Sequence, residues 1–209
     1  MILASKKAAA RRSGQASRDQ LLEEAARLFA LKGLQQVTLA EIGAAAGMSG
    51  PAIYNHFQSK NALFIETVCM MYEEEIAAFS ELLDPLDSVH DALDRLLDNV
   101  PEMYRDDGVL QLLGLTAQLE AVRNPELFAP ISRAVRERDE VGIRLARRAK
   151  KKGELPAHVD ADELGAMIIA LFVGALGNRS LQSPLKKDFA RSVETLRQLL
   201  QMKRHVKAR

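Results

Sequence analysis

The polar residues between positions 38 and 60 are of the types and spacing that grip a nucleic acid. Thr38, Tyr54, His56 and Lys60 offer hydroxyl, imidazole or ammonium donors for phosphate oxygens, the contacts that fix register on a duplex. Ser49, Gly50, Ala52 and Asn55 suit base edges: serine bonds several bases, alanine meets a thymine methyl, asparagine pairs with adenine, and glycine lets the backbone approach. No Arg or Lys falls on this reading face, so a bidentate guanine contact is not expected from it. Direct readout should be modest and aided by DNA shape. Each residue also has a plainer use. Ser49 caps a helix whether or not it reads a base, Tyr54 can pack on a neighbouring helix, and His56 can simply be solvated.

Two short helices joined by a tight turn must position these residues. Thr38 is placed to cap the first, with Glu41 three residues later completing a capping box. Leu39, Ile42 and Ala46 recur at helical spacing, and Gly47 stands where a positive φ ends a helix. Ser49 and Pro51 suit the start of the second helix, and Ile53 and Phe57 can pack back on the first. Ser59 caps the next, longer helix. Such a helix–turn–helix offers its second helix to the major groove.

The pattern resembles the DNA-binding domain of the TetR family of transcriptional regulators. The resemblance includes the preceding helix, with Ala25-Ala26-x-x-Phe29 and the stop at Gly33, and the closing Tyr54-x-x-Phe57-x-x-Lys60. It extends over about 17–72, roughly a quarter of the chain. It implies an all-α, TetR-like fold of about nine helices: a three-helix DNA-binding domain over 17–76 and a six-helix ligand-binding and dimerisation domain over 77–209. It also implies a homodimeric repressor on a palindromic operator, released by a small molecule, with the Tyr54 hydroxyl on the DNA backbone.

Apolar periodicity supplies the remaining elements. Helices are expected at 17–32, 59–83, 88–104, 109–122, 125–152, 161–180 and 185–203, with Phe64, Val68, Met71, Tyr72 and Phe79 on one face of the long fourth helix. That helix is the lever between the two domains. The helix at 161–180 is apolar almost all round and should be buried on several sides, and Gly165, Gly174 and Gly177 would let a neighbour come close. The resemblance implies that the last two helices pair with a partner's, which would place Leu164, Ile168, Leu171, Ala175, Phe189, Val193, Leu196 and Leu200 in the dimer interface. The alternative is that 161–180 is the central helix of a monomer core. An effector pocket is expected among Met103, Tyr104, Leu113, Gln118, Phe128, Ile131, Met167 and Phe172, mostly apolar residues that suit an apolar or amphipathic ligand.

Composition bounds the other classes. Net charge is only +1, yet 1–18 holds Lys6, Lys7, Arg11, Arg12 and Arg18 without an acid. Residues 1–16 read as a disordered basic arm, either a phosphate-neutralising segment or a solubilising tail. Cys69 is the single cysteine, so no internal disulfide forms, which fits a cytoplasmic setting, and core filling suits it better than redox sensing. No apolar stretch is long enough for a membrane span. No glycine-rich phosphate loop or nucleophile elbow is present, and His56, His90, His158 and His205 are scattered, so neither an enzyme, a metal site nor a cofactor is expected. His90, Asp91 and Asp94 fit a solvated helix face better than a metal site. The partners expected are double-stranded DNA, a second copy and a small effector. A helical protein-interaction module, or an activator without small-molecule induction, remains the other reading.

Overall fold

The computed structural model describes residues 2–48, 50–99, 108–178, 191, 193–196 and 198. Ser49, Met103, Tyr104, Phe189 and Leu200 lie outside them, as does the side chain of Ala175. Helices alternate with short turns, and there is no strand among the described residues. The order is α1 (Ile2–Gln36), α2 (Leu39–Ala45), α3 (Gly50–Tyr54), α4 (Lys60–Leu83), α5 (Val89–Asn99), α6 (Val109–Arg123), α7 (Pro125–Lys151) and α8 (Ala161–Asn178). Arg191, residues 193–196 and Gln198 are also helical, within the span expected for a ninth helix.

The sequence marks these boundaries through its caps. The Ser59 hydroxyl accepts from the Ala62 amide at 3.1 Å, and the Ser88 hydroxyl accepts from the Asp91 amide at 3.2 Å. Asp160 accepts from the Asp162 and Glu163 amides at the start of α8. Glu154 reinforces α5 from 64 residues away, accepting from the Val89 and His90 amides at 3.0 and 2.9 Å. A carboxylate there meets the positive end of the helix dipole.

One boundary differs from expectation. Residues 2–16 are helical and continuous with α1, in keeping with the Ala, Lys and Arg that dominate them. At the other end Gly33, with φ 76° and ψ 165°, leaves the helical geometry where the stop was expected, and the short helical turn to Gln36 lies beyond that kink.

The chain divides into two compact units. Unit one comprises Met1–Met71 with Leu112–Ser132, so α6 and the start of α7 belong with the DNA-binding helices. Its core holds Leu21, Leu22, Ala25, Phe29, Ile42, Ile53, Phe57, Phe64 and Val68, with Phe29 and Phe64 edge to face at 5.1 Å. On α6, Leu113, Ala117, Glu120 and Ala121 point inward, while Leu115, Leu119 and Val122 are exposed.

Unit two comprises Tyr72–Gln111 with Arg133–Arg209. Its core joins Phe79 and Leu83 of α4, Leu93 and Leu96 of α5, Val141 and Leu145 of α7, and Leu164, Ile168 and Phe172 of α8, together with Val193. Helices α7 and α8 cross backbone to backbone. A Cβ added to Gly165 would lie 2.4 Å from the Ile143 Cα, and one added to Gly142 would lie 2.3 Å from the Gly165 carbonyl oxygen. Only glycine fits both sides of that crossing. The close neighbour foreseen for Gly165 is therefore this chain's own α7, and an added Cβ at Gly174 meets nothing.

The expectation that α8 is buried on several sides is also only partly met. Leu164, Ile168 and Phe172 are buried, but Met167 is 59% exposed, Ala170 and Gly174 are exposed, and Leu171 is half-buried. His90, placed on a solvated face from sequence, is buried, while Asp91 and Asp94 are exposed.

Candidate nucleic-acid interface

The reading motif is built from α2, the turn through Gly47 and α3. Thr38 is in an extended conformation, and its hydroxyl accepts from the Glu41 amide at 3.2 Å. The Lys32 ammonium pairs with Glu41 and holds its carboxyl below the ordinary glutamate range, with the Thr38 backbone N–H adding to the shift. The Thr38 half of the capping box is thus present, and the Lys32–Glu41 pair ties α1 to it. Gly47 has a φ of 68°, and its amide donates to the Ala44 carbonyl, closing α2 as its residue type predicts.

Helix α3 is short, and it is set against α2 by Ile53 and Phe57, both buried. The Ile53 Cδ1 packs at van der Waals distance from the site of a Cβ on Gly43. With those side chains inward, Tyr54 is 62% exposed and Asn55 is exposed, with Ala52 and His56 half-buried. Asn55 and His56 lie in the turn after α3 rather than on it, their amides reaching back to the Ala52 and Ile53 carbonyls. They therefore stand beyond the reading helix. Thr38 is exposed at the start of α2.

Lys60 has a structural duty that its position in the motif does not reveal. Its ammonium donates to the Gln35 carbonyl at 3.2 Å, fastening the end of α1 to the start of α4. Arg18, counted from sequence with the basic arm, pairs with Glu66 and lies 5.3 Å over the Phe57 ring. It pins α1 to the motif from the inside.

A second joint, unseen in the sequence, connects α6 and α7 to these helices. Glu120 is buried on α6; it accepts from Asn124 at 2.8 Å and from the Gln35 side chain at 3.5 Å, with the Arg123 guanidinium 3.6 Å away. Asn61, at the start of α4, donates to Glu126 at the start of α7. Gln35 is thus held on both sides, by Lys60 through its carbonyl and by Glu120 through its amide.

The described residues expected to line an effector pocket fall in both units. Leu113 and Ile131 are buried in unit one, where Gln118 and Phe128 are exposed; Phe172 is buried in unit two and Met167 is exposed there. Among the residues expected at a dimer interface, Leu164, Ile168 and Val193 are buried in the chain's own core, so a partner cannot reach them. Leu171 and Leu196 are half-buried against that core. A helix apolar on every side gives no periodicity to tell inside from outside. No three His, Cys, Asp or Glu side chains gather as a metal ion would require, among the described residues.

Residues 21–67 match the family described as bacterial regulatory proteins, tetR family. The chain is 28% identical over 190 residues to the HTH-type transcriptional regulator TtgR of Pseudomonas putida, covering 86% of this chain and 87% of that one. It is 23% identical over 164 residues to the HTH-type transcriptional regulator UidR of Escherichia coli, covering 78% and 82%. The fold is that of a solved putative transcriptional regulator from Saccharomonospora viridis in complex with choline, with a TM-score of 0.69, 23% identity, and 88% and 96% of the two chains covered. The family match identifies residues 21–67 as a DNA-binding domain of the tetR family, and with the helix–turn–helix geometry and the similarity to these regulators over most of its length it supports a DNA-binding transcriptional regulator.

Proposed function

We propose that the protein is a homodimeric repressor that binds a palindromic operator and is released by a small molecule. The observation that carries this reading is the division of labour on α3. Ile53 and Phe57 lock it to α2, which leaves Tyr54 and Ala52 to meet a duplex beside the exposed Thr38. Tyr54 and Thr38 are assigned to phosphate, Ala52 with Gly50 and Ser49 to base edges, and Asn55 and His56 to the rim. Lys60 contributes charge to the same face while its ammonium holds Gln35.

A reading helix this short covers few base pairs, and two-fold pairing doubles the site. The partner-facing surface is assigned to the outward row of α8, Met167, Ala170 and Gly174 with Leu171 at its edge, in place of the inward Leu164 and Ile168. Small residues in such a row let two helices approach closely. Release is a coupling free energy: the effector prefers the conformation whose two reading helices are wrongly spaced. Helices α4 and α7, which contribute residues to both units, carry that coupling. The choline held by the Saccharomonospora viridis regulator supports a small-molecule effector for this fold. No helix among the described residues is long and apolar enough to cross a membrane, consistent with a cytoplasmic regulator.

Salt-dependent binding to duplex DNA tests the reading. Affinity should fall steeply as salt rises, because phosphate contacts release counterions, and Tyr54→Ala should weaken it without unfolding the protein. Binding that ignores both salt and Tyr54→Ala sinks it. The Met167→Asp variant, altered where the chain's own core is not touched, should be a folded monomer by light scattering. A dimer that survives the change moves the interface elsewhere.

A further inference from the structure

Helix α6 turns an uncharged, apolar row outward. Leu113, Ala117, Glu120 and Ala121 take its inner side. Leu112, Leu115, Leu119 and Val122 lie on the other side, 37%, 54%, 50% and 81% exposed. Their spacing of three, four and three residues is that of the a and d positions in a coiled-coil seam. The outer face of a helix ordinarily carries charge, as α7 does at the exposed Arg133, Arg136 and Glu137. The charged residues of α6 are Glu120 and Arg123, and Glu120 is buried.

The row is complementary to itself. A two-fold axis at the level of Ala117 runs two copies of α6 antiparallel. It sets Leu112 on one copy against Val122 on the other, and Leu115 against Leu119. Near the axis Thr116 meets Thr116 on one flank and Gln118 meets Gln118 on the other, groups that both donate and accept. The two Arg123 side chains stand at opposite ends, about 18 Å apart along the helices, where a parallel pair would oppose them. One surface thus serves both copies, as a closed two-fold contact requires.

The size of the row suits a weak contact. Its four side chains expose roughly 400 Å² of apolar surface, as large as the patches that mark interaction sites on soluble proteins. With Thr116, Gln118 and Arg123 beside them, two copies bury about 1,000 Å² in all, the lower bound of a specific interface. At micromolar concentration the α6 faces stay apart, and they close as concentration rises.

We propose that the outward row of α6 is a self-association surface, covered by a second copy of this chain in an antiparallel α6–α6 pair. The contact is separate from the surface assigned on α8 and does not rest on it. Because α6 belongs to the unit that holds the reading motif, two copies joined there carry two such motifs in one assembly.

Sedimentation equilibrium of the full chain, from micromolar to near-millimolar concentration, tests the surface. Mass is read against the species present at micromolar concentration, whatever its subunit count, so a failure of the α8 surface and a failure of this one give different results. The wild type gains mass as concentration rises. An acidic variant, Leu115→Glu with Leu119→Glu, sets like charges across the seam and weakens the association by about tenfold or more. A basic variant, Leu115→Lys with Leu119→Lys, does the same. An equimolar mixture of the two regains the heavier species, because each Glu then faces a Lys. Both altered positions are exposed, so the core is untouched. A wild type that keeps its micromolar mass throughout overturns the proposal without any variant. An acidic variant that gains mass as the wild type does overturns it by moving the contact to another face, and a mixture no heavier than its components overturns the antiparallel pairing.

Discussion

Each unit buries a glutamate on a helix, and the two are treated in opposite ways. Glu120 in unit one is enclosed by the Asn124 and Gln35 amides, with Arg123 beside it. Glu75 in unit two keeps one oxygen without a hydrogen bond and its cation at 3.7 Å. A buried carboxylate with its donors in place is a fastener. One left partly unsatisfied costs stability. Unit one is therefore held by polar ties around Gln35, which fix the reading motif. Unit two is held by close backbone packing at Gly142 and Gly165.

The largest effect is expected at the packing of unit two. Gly165→Leu forces α7 and α8 apart where a Cβ already meets backbone at 2.4 Å, and should cost about 3 kcal/mol or more in denaturant unfolding. A loss near zero would mean the crossing is not what holds that unit. Next comes Glu120→Ala, which strands two amide donors and should cost about 2 kcal/mol. It should also weaken DNA binding beyond that loss, because Gln35 and α1 lose their hold; a variant with wild-type stability and DNA affinity would dissolve the contrast.

Glu75→Gln should act in the opposite direction. In the wild type the folded carboxyl holds its proton to higher pH than the unfolded one, so stability falls as pH rises from the ordinary glutamate range through the raised folded value. The Gln variant lacks that fall. At neutral pH its midpoint should rise by about 2–4 °C, equivalent to ~1 kcal/mol, and the gain should vanish toward acid pH. A midpoint lowered at neutral pH would make Glu75 a fastener after all. The smallest effect is at the motif itself: Thr38→Ala should cost about 1 kcal/mol through the lost cap, read from the same unfolding curves.

Local signals in the sequence carried the reading motif well. Thr38, Gly47 and Ser59 act within three or four residues of themselves, and their caps and positive φ stand where the residue types place them. The stripe from Phe64 to Phe79 on α4 is likewise buried. Partners distant along the chain left no such trace. Gln35 and Glu120 are 85 residues apart, and Ser88 and Glu154 are 66 apart. Nothing near either glutamate distinguishes it from a surface residue. The inner and outer faces of α8 were illegible for the opposite reason, since Leu164, Met167, Ile168 and Leu171 are equally apolar and only the fold decides which of them turns outward.

The most direct test of the central claim is a selection of bound duplexes from the fragmented genome of the source organism, with the purified full chain and Tyr54→Ala as control. A two-fold regulator predicts enrichment of a palindromic site whose half-sites stand about one helical turn apart, roughly 34–36 Å, lost in Tyr54→Ala. No enrichment over that control at low salt would contradict it.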